Sequence, residues 1–144
     1  MGVDFQGTDI IFIDTAPFIY FFEKHDRYFP HMARFFDQVY ESNCQVITSI
    51  ITYIELTTQP ARLGNEKLVR KYGDYLGNSE NISTFPLDIK IADFAVQMRA
   101  RYQLKTPDAI QLGTALACGA DYVLTNDQAW QQVAEVDLLL VDEL

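Results

Sequence analysis

Short apolar runs alternate along the chain with longer segments in which apolar residues recur every three or four positions. The short runs are typical of buried strands and cover residues 10–13, 45–48, 82–85, 122–125 and 138–141. The longer segments predict helices over residues 16–22, 31–40, 50–57, 65–76, 89–102, 107–118 and 128–133. This alternation predicts an α/β fold with a mostly parallel five-stranded sheet flanked by helices. No repeat or linker interrupts it, so we expect one domain over residues 1–144.

Several predicted helices carry capping signals at their ends. Ser49 directly follows a predicted strand and can cap the helix that contains Glu55. Thr106 is predicted to be an N-cap with Pro107 at the first helical position, and Gly119 fits the position just after that helix. Residues 60–64 are predicted to form a turn.

The composition is that of a folded protein rather than a disordered or membrane-spanning one. Hydrophobic residues make up 49% of the sequence, which excludes an intrinsically disordered chain. No apolar run reaches the roughly 18 residues that a membrane helix needs, and the N-terminus lacks the basic segment of a signal peptide. Cys44 and Cys118 belong to no metal-binding spacing. We therefore expect reduced thiols in a cytoplasmic protein.

The charge balance is strongly acidic. Eleven basic and twenty acidic residues give a formal net charge of −9. Nucleic-acid-binding proteins usually carry a positive surface because much of their affinity comes from phosphate contacts. A nucleic-acid ligand of this chain must therefore be held by a local basic patch, by a metal ion or with the help of a partner.

Four carboxylates lie where a buried run ends or a helix begins. Asp14 and Asp127 follow predicted strands, Glu55 lies in the helix after the second strand, and Asp108 lies near a helix start. The carboxyl ends of parallel strands gather at one edge of a sheet, where ligands bind, so these four acids can converge. Each also has a purely structural explanation: Asp108, for example, interacts favourably with the helix dipole, and Asp127 can be a turn residue.

Clustered carboxylates favour a divalent metal ion. Two unit charges about 4 Å apart repel by about 1 kcal/mol in water and about 4 kcal/mol at an effective dielectric of 20. Their hard oxygen ligands suit Mg²⁺ or Mn²⁺, and a bound ion can orient a phosphodiester and activate a water molecule. The pattern predicts metal-dependent hydrolysis of nucleic acid.

Four sequence motifs in this chain resemble those of PIN-domain ribonucleases. They are Asp14-Thr15, TSIITYIEL at residues 48–56, TPDAIQL at residues 106–112 and ADYVLTND at residues 120–127. They occur in order and span nearly the whole chain. The small size and the lack of added domains are most similar to the VapC-type toxins of bacterial toxin–antitoxin pairs.

The resemblance implies a metal-dependent endoribonuclease that forms homodimers and is inhibited by a cognate antitoxin. It implies that Asp14, Glu55, Asp108 and Asp127 hold Mg²⁺ or Mn²⁺ and carry catalysis. Glu55 is an alternative positioner of the attacking water, and Thr125 is predicted to support the site by hydrogen bonding.

One rival function is left by the sequence, and a second is excluded. A catalytically weak PIN-like module that binds RNA or a protein would keep the same fold. A haloacid-dehalogenase-like phosphatase would need a second Asp two residues after Asp14, where Ala16 stands, so that hypothesis is excluded. PIN domains often have Asn at this position, so Ala16 also removes a polar group from the predicted site.

Basic and aromatic residues supply candidate contact surfaces. Arg62 and Lys105 neighbour the acidic motifs and are predicted to contact RNA phosphates; the other basic residues nearby are Lys67, Arg70, Lys71, Arg99 and Arg101. An ordinary solvated helix face is the alternative explanation for Lys67 to Lys71. An aromatic run from Phe18 to Tyr40 exceeds what two helices need for packing, which favours a dimer or antitoxin interface.

Overall fold

The computed structural model describes residues 3–144, so Met1 and Gly2 of the predicted domain lie outside the described residues. Five strands are formed: β1 (Ile10–Ile13), β2 (Gln45–Ser49), β3 (Ile82–Phe85), β4 (Tyr122–Thr125) and β5 (Leu138–Leu140). Six α-helices are formed: α1 (Thr15–Phe22), α2 (Phe29–Ser42), α3 (Ile50–Arg62), α4 (Glu66–Gly77), α5 (Ile89–Tyr102) and α6 (Thr106–Ala117). Two short 3-10 helices follow at Gln128–Gln132 and Val141–Glu143.

The strands form one parallel five-stranded sheet in the order β3-β2-β1-β4-β5. β1 pairs with β4 so that Ile11 lies opposite Tyr122, and β4 pairs with β5 so that Val123 lies opposite Leu138. The sequence-based prediction of a mostly parallel sheet flanked by helices is confirmed. No helix in residues 3–144 is long and apolar enough to cross a membrane.

The chain divides into two compact units. Unit 1 comprises the residues up to Val46 together with residues 119–144, and unit 2 comprises residues 47–118. In unit 1, the central positions of β1 and β4, among them Phe12 and Val123, are fully buried. Phe21 stacks on Phe29 with ring centroids 5.5 Å apart, so α1 and α2 are joined by interleaved aromatic rings.

Unit 2 is built from four helices, the edge strand β3 and the last three residues of β2. α5 packs closely against α6, and Gly113 makes this approach possible, because a Cβ atom there would lie 2.9 Å from the carbonyl oxygen of Ile91. α3 packs against both α4 and α6. The helix that carries Glu55 is therefore held on two sides within its own unit.

Several predicted boundaries are wrong, and the main differences have local reasons. α3 continues through Pro60 to Arg62, where a turn was predicted. Pro60 is buried and its carbonyl accepts from the backbone of Asn65, so the last turn stays helical despite the missing donor. The predicted helix 128–133 is only a 3-10 turn, because five residues are too few for a stable α-helix. The predicted strand 138–141 ends at Leu140, since Val141 begins a 3-10 turn.

A further difference is at the start of α6. Thr106 is the first helical residue rather than the N-cap, and Lys105 occupies the N-cap position without a side-chain hydrogen bond. Ser49 caps α3 as predicted, and Gly119 follows α6 in the left-handed conformation as predicted, with a φ of 67°.

Candidate active site

Asp14 is held at the carboxyl end of β1 by two hydrogen bonds. It caps α1, and its Oδ1 accepts from the backbone of Thr15 at 2.8 Å. Its Oδ2 accepts from the hydroxyl of Thr125 at 2.7 Å. The half-buried carboxylate is thus oriented at the end of β1.

Thr125 joins Asp14 to Asp127. Thr125 is the last residue of β4 and is fully buried. Its hydroxyl donates to Asp14 and accepts from the backbone N–H of Asp127 at 3.1 Å. The parallel pairing of β1 with β4 places both strand ends side by side. One buried hydroxyl therefore connects two of the four predicted acids within unit 1.

Asp127 caps the 3-10 helix that follows β4. Its Oδ1 accepts from the backbone of Ala129 at 3.0 Å, and its carbonyl accepts from the backbone of Trp130. Trp130 is fully buried and anchors this turn, while Asp127 itself is exposed. The exposed carboxylate is therefore held in one orientation at the carboxyl end of β4.

Glu55 and Asp108 are both in unit 2. Glu55 lies in the second turn of α3 and is exposed, although its neighbour Leu56 is buried. Asp108 is half-buried in the first turn of α6, where the helix dipole favours a negative charge. Thr52 precedes Glu55 by three positions and Gln111 follows Asp108 by three, and residues at this spacing share a helix face.

A buried hydrogen-bond network connects these two helix faces. The Gln111 side chain donates through Nε2 to the Thr52 hydroxyl at 2.9 Å. Its Oε1 accepts a hydrogen bond from Ser49, and Thr48 donates to Thr52 at 2.9 Å. All four side chains are buried, with Gln111 1% exposed. The network therefore joins α3, the helix of Glu55, to α6, the helix of Asp108.

Sequence reasoning did not identify Gln111 or Thr52 as parts of the site. The available signal was a polar residue between Ile110 and Leu112, in the middle of an apolar run. Buried glutamine needs partners for both ends of its amide, which predicts a network but not its members.

The structure thus pairs Asp14 with Asp127 in unit 1 and connects the helices of Glu55 and Asp108 in unit 2. Within residues 3–144, no group of three or more His, Cys, Asp or Glu side chains has the geometry of a metal site. The four-carboxylate ligand set therefore stays a prediction. Its donor chemistry, carboxylate oxygens oriented by hydrogen bonds, fits Mg²⁺ or Mn²⁺.

The two predicted RNA contacts are exposed residues in unit 2. Arg62 is the last residue of α3, and Lys105 precedes α6. Contact of either with RNA stays a prediction. The aromatic run is largely used within unit 1, where Phe18 and Phe35 are buried, whereas Tyr40 is 79% exposed. Its role as an interface also stays a prediction.

Both cysteines are free thiols. Burial raises the pKa of the Cys118 thiol above its usual value, an effect that Lys90 partly offsets and Asp88 reinforces. The protonated thiol is a poor metal ligand and nucleophile, so Cys118 has no place in the predicted chemistry.

Comparison with solved structures identifies the same fold in VapC-type toxins. DNA-bound VapBC from Salmonella typhimurium superposes with a TM-score of 0.73 at 18% identity, covering 93% of this chain and 99% of that chain. VapC20 from Mycobacterium tuberculosis, described as a sarcin-ricin loop cleaving toxin, gives 0.69 at 16% identity, covering 88% and 97%. VapBC-1 from nontypeable Haemophilus influenzae gives 0.71 at 18% identity, covering 92% and 98%. At these identities the likeness concerns the fold alone.

The family assignment comes from the sequence itself. Comparison with curated proteins gives no significant match. The family model described as PIN domain matches residues 11–136, a span that contains all four motifs and all four predicted acids. Because this match covers most of the sequence, the chain belongs to the PIN-domain family.

Proposed function

We propose that this chain is a metal-dependent endoribonuclease that hydrolyses RNA phosphodiester bonds. The observation that carries the proposal is the Thr125 hydroxyl, which bonds Asp14 at 2.7 Å and the backbone of Asp127 at 3.1 Å. A turn that only capped a helix would not need a buried hydroxyl to orient a carboxylate from another strand. Membership of the PIN-domain family supports the same activity, because PIN domains are typically nucleases that use divalent metal ions.

In the proposed site, Asp14, Glu55, Asp108 and Asp127 hold Mg²⁺ or Mn²⁺. The bound ion supplies Lewis acidity, which orients a phosphodiester and lowers the pKa of a coordinated water molecule. Thr125 keeps one oxygen of Asp14 in a fixed direction, so this carboxylate does not have to reorient when it binds. As an alternative to metal binding, Glu55, which is exposed, would position an attacking water and accept its proton.

We further propose that the protein is a cytoplasmic toxin that forms a homodimer and is inhibited by an antitoxin. Three structural relatives are described as VapBC assemblies, and two of these as bound to DNA, which supports an antitoxin partner. The excess of acidic residues in unit 1 favours the binding of a basic segment of the antitoxin.

The test is cleavage of a panel of single-stranded and structured RNAs by the purified chain. Cleavage in Mn²⁺ should disappear with EDTA and in Asp108→Asn, whereas Asp93→Asn, an exposed acid on α5, should cleave like the wild type. Activity that survives in Asp108→Asn would remove this acid from the site. RNA binding without any cleavage would favour the rival function, a PIN-like binding module.

A further inference from the structure

Charge is distributed very unevenly between the two units. Unit 1 contains thirteen acidic and three basic residues, a net charge of −10, whereas unit 2 contains seven acidic and eight basic residues, a net charge of +1. The acidic character of the chain thus belongs to unit 1. A polyanion that binds this protein will be attracted to unit 2.

Within unit 2, the basic residues are densest on one face of α4. Lys67, Arg70, Lys71, Asp74 and Tyr75 follow the three- and four-residue spacing of a helix face, and they line one shallow depression of about 570 Å³. The three basic side chains are exposed, and no carboxylate in the described part of the chain forms an ion pair with them. Asp74 accepts a hydrogen bond from the side chain of Asn78. Three cations therefore face one acid.

The other face of α4 is packed within unit 2. Tyr72 and Leu76 are buried, and a Cβ atom at Gly73 would lie 3.5 Å from the ring of Tyr53 on α3. α4 is also fixed at its start, where the Asn65 side chain accepts from the backbone of Leu68 at 3.2 Å. The basic face is thus displayed on a rigid helix that lies against the helix of Glu55.

We propose that the exposed face of α4, formed by Lys67, Arg70, Lys71 and Tyr75, binds the sugar-phosphate backbone of single-stranded RNA. This proposal rests on the proposed ribonuclease function, because it supplies the substrate with a contact surface in addition to the carboxylates. Lys67 and Lys71 are about 6 Å apart along the helix axis at 1.5 Å per residue. Adjacent cations at this spacing can hold consecutive phosphates.

Tyr75 favours single-stranded RNA over an acidic protein segment. It is half-buried, so its ring is held in place at the edge of the depression. An aromatic ring beside a row of cations is the arrangement by which proteins stack an unpaired base while binding its phosphates. An ordinary tyrosine is already neutral near pH 7, and burial raises the pKa of the Tyr75 hydroxyl further, so this group adds no negative charge there.

The test measures binding separately from cleavage. Fluorescein-labelled oligouridylate is titrated with the full chain in EDTA, over a series of KCl concentrations, and binding is followed by anisotropy. Arg70→Gln combined with Lys71→Gln should weaken binding about tenfold or more. The slope of log affinity against log salt should fall by roughly 0.7 for each phosphate that the variant no longer neutralises. Tyr75→Leu should weaken binding with little change in the salt slope.

The matched control removes the same charge from unit 1. Lys24→Gln combined with Arg34→Gln alters two exposed cations outside α4 and should bind like the wild type. Equal loss in both double variants, or an unchanged salt slope in the α4 variant, overturns the proposal. If the α4 double variant loses binding to polyglutamate but keeps binding to oligouridylate, the proposal is also overturned. That result would assign this face to an acidic protein partner.

The same variants distinguish this proposal from the proposed function. If the wild type binds RNA through α4 but cleaves no RNA in Mn²⁺, the proposed nuclease activity is refuted and the proposed binding surface is retained. If an α4 variant binds RNA with wild-type affinity and cleaves it at the wild-type rate, the proposed binding surface is refuted and the proposed nuclease activity is retained. Circular dichroism and thermal unfolding should be unchanged in the Arg70→Gln/Lys71→Gln variant, because both side chains are exposed.

Discussion

The side-chain amide of Gln111 donates a 2.9 Å hydrogen bond to the hydroxyl of Thr52 and joins α6 to α3 inside unit 2. Each residue lies three positions from a predicted catalytic acid, on the same face of its helix. The bond therefore joins the two helices that carry Glu55 and Asp108.

Gln111→Leu should lower the free energy of unfolding by about 1–3 kcal/mol, because the hydroxyls of Thr52 and Ser49 lose a buried partner. If Gln111 also positions the acids, RNA cleavage should fall further than the loss of folded protein explains. Urea unfolding and cleavage under conditions where each variant is fully folded separate the two effects. Thr8→Val, at an exposed position in unit 1, is the control and should change neither quantity appreciably.

Thr125→Val should weaken the Asp14–Asp127 connection without changing the shape of the side chain. The loss of a hydrogen bond to a carboxylate is expected to cost about 1.5–3 kcal/mol of stability. Binding of Mn²⁺, measured by calorimetry, should also weaken. Thr125→Ser keeps the hydroxyl and should restore Mn²⁺ affinity; failure of this rescue would mean that the methyl group, not the hydroxyl, matters.

Mn²⁺ should raise the melting temperature of the wild type if the four acids form one metal site. A ligand at 100 times its dissociation constant stabilises the folded state by about 2.7 kcal/mol. Asp14→Asn and Asp108→Asn should each reduce the shift, since each removes a negative ligand. Asp93→Asn should retain it. A full shift in both site variants would place the metal elsewhere.

Gly113→Ala should destabilise the protein even though alanine is the better helix former. The added Cβ atom would lie 2.9 Å from the carbonyl oxygen of Ile91 and 3.0 Å from the backbone nitrogen of Ala95, so α5 must move. Overpacking of this kind costs about 1–3 kcal/mol. Gly77→Ala at the end of α4 has open space around it and should be neutral or stabilising in the same thermal unfolding assay.

Cys118 should react slowly with iodoacetamide in the folded protein. Its pKa is raised by burial, so the folded state retains the thiol proton to higher pH than the unfolded state does. The associated stability is present below the pKa of the unfolded thiol and is lost as pH rises through the folded one. In a Cys44→Ser variant, which leaves Cys118 as the one thiol, the iodoacetamide reaction rate can be compared between the unfolded and the folded protein. The ratio of these two rates should decrease once the pH exceeds the pKa of the folded thiol. A constant ratio across the pH series would contradict the raised pKa.

The strongest sequence patterns predicted their elements residue by residue. β1, β3, β4 and α5 have the predicted bounds, and α5 begins at a clear capping residue, Asp88. The assignment to the PIN-domain family, made from four motifs, is confirmed by the family model. The roles of the four acids stay predictions.

What sequence reasoning missed depends on contacts between distant residues. Pro60 ends most helices but is tolerated in α3, where burial and the bond from Asn65 stabilise the last turn. Gln111 finds its partner Thr52 fifty-nine positions away. No local pattern specifies that pairing, since it requires knowing which helix faces meet.

If RNA binds α4 as proposed, the segregation of charge between the units gives salt two opposite effects on this binding. At long range the net charge of −9 repels a polyanion, and added salt screens this repulsion, so encounters become more frequent. Once RNA lies on α4, the same ions compete with its phosphates, so it dissociates faster. Association and dissociation rates should therefore both rise with ionic strength. Bound RNA should then exchange with free RNA most rapidly at high salt.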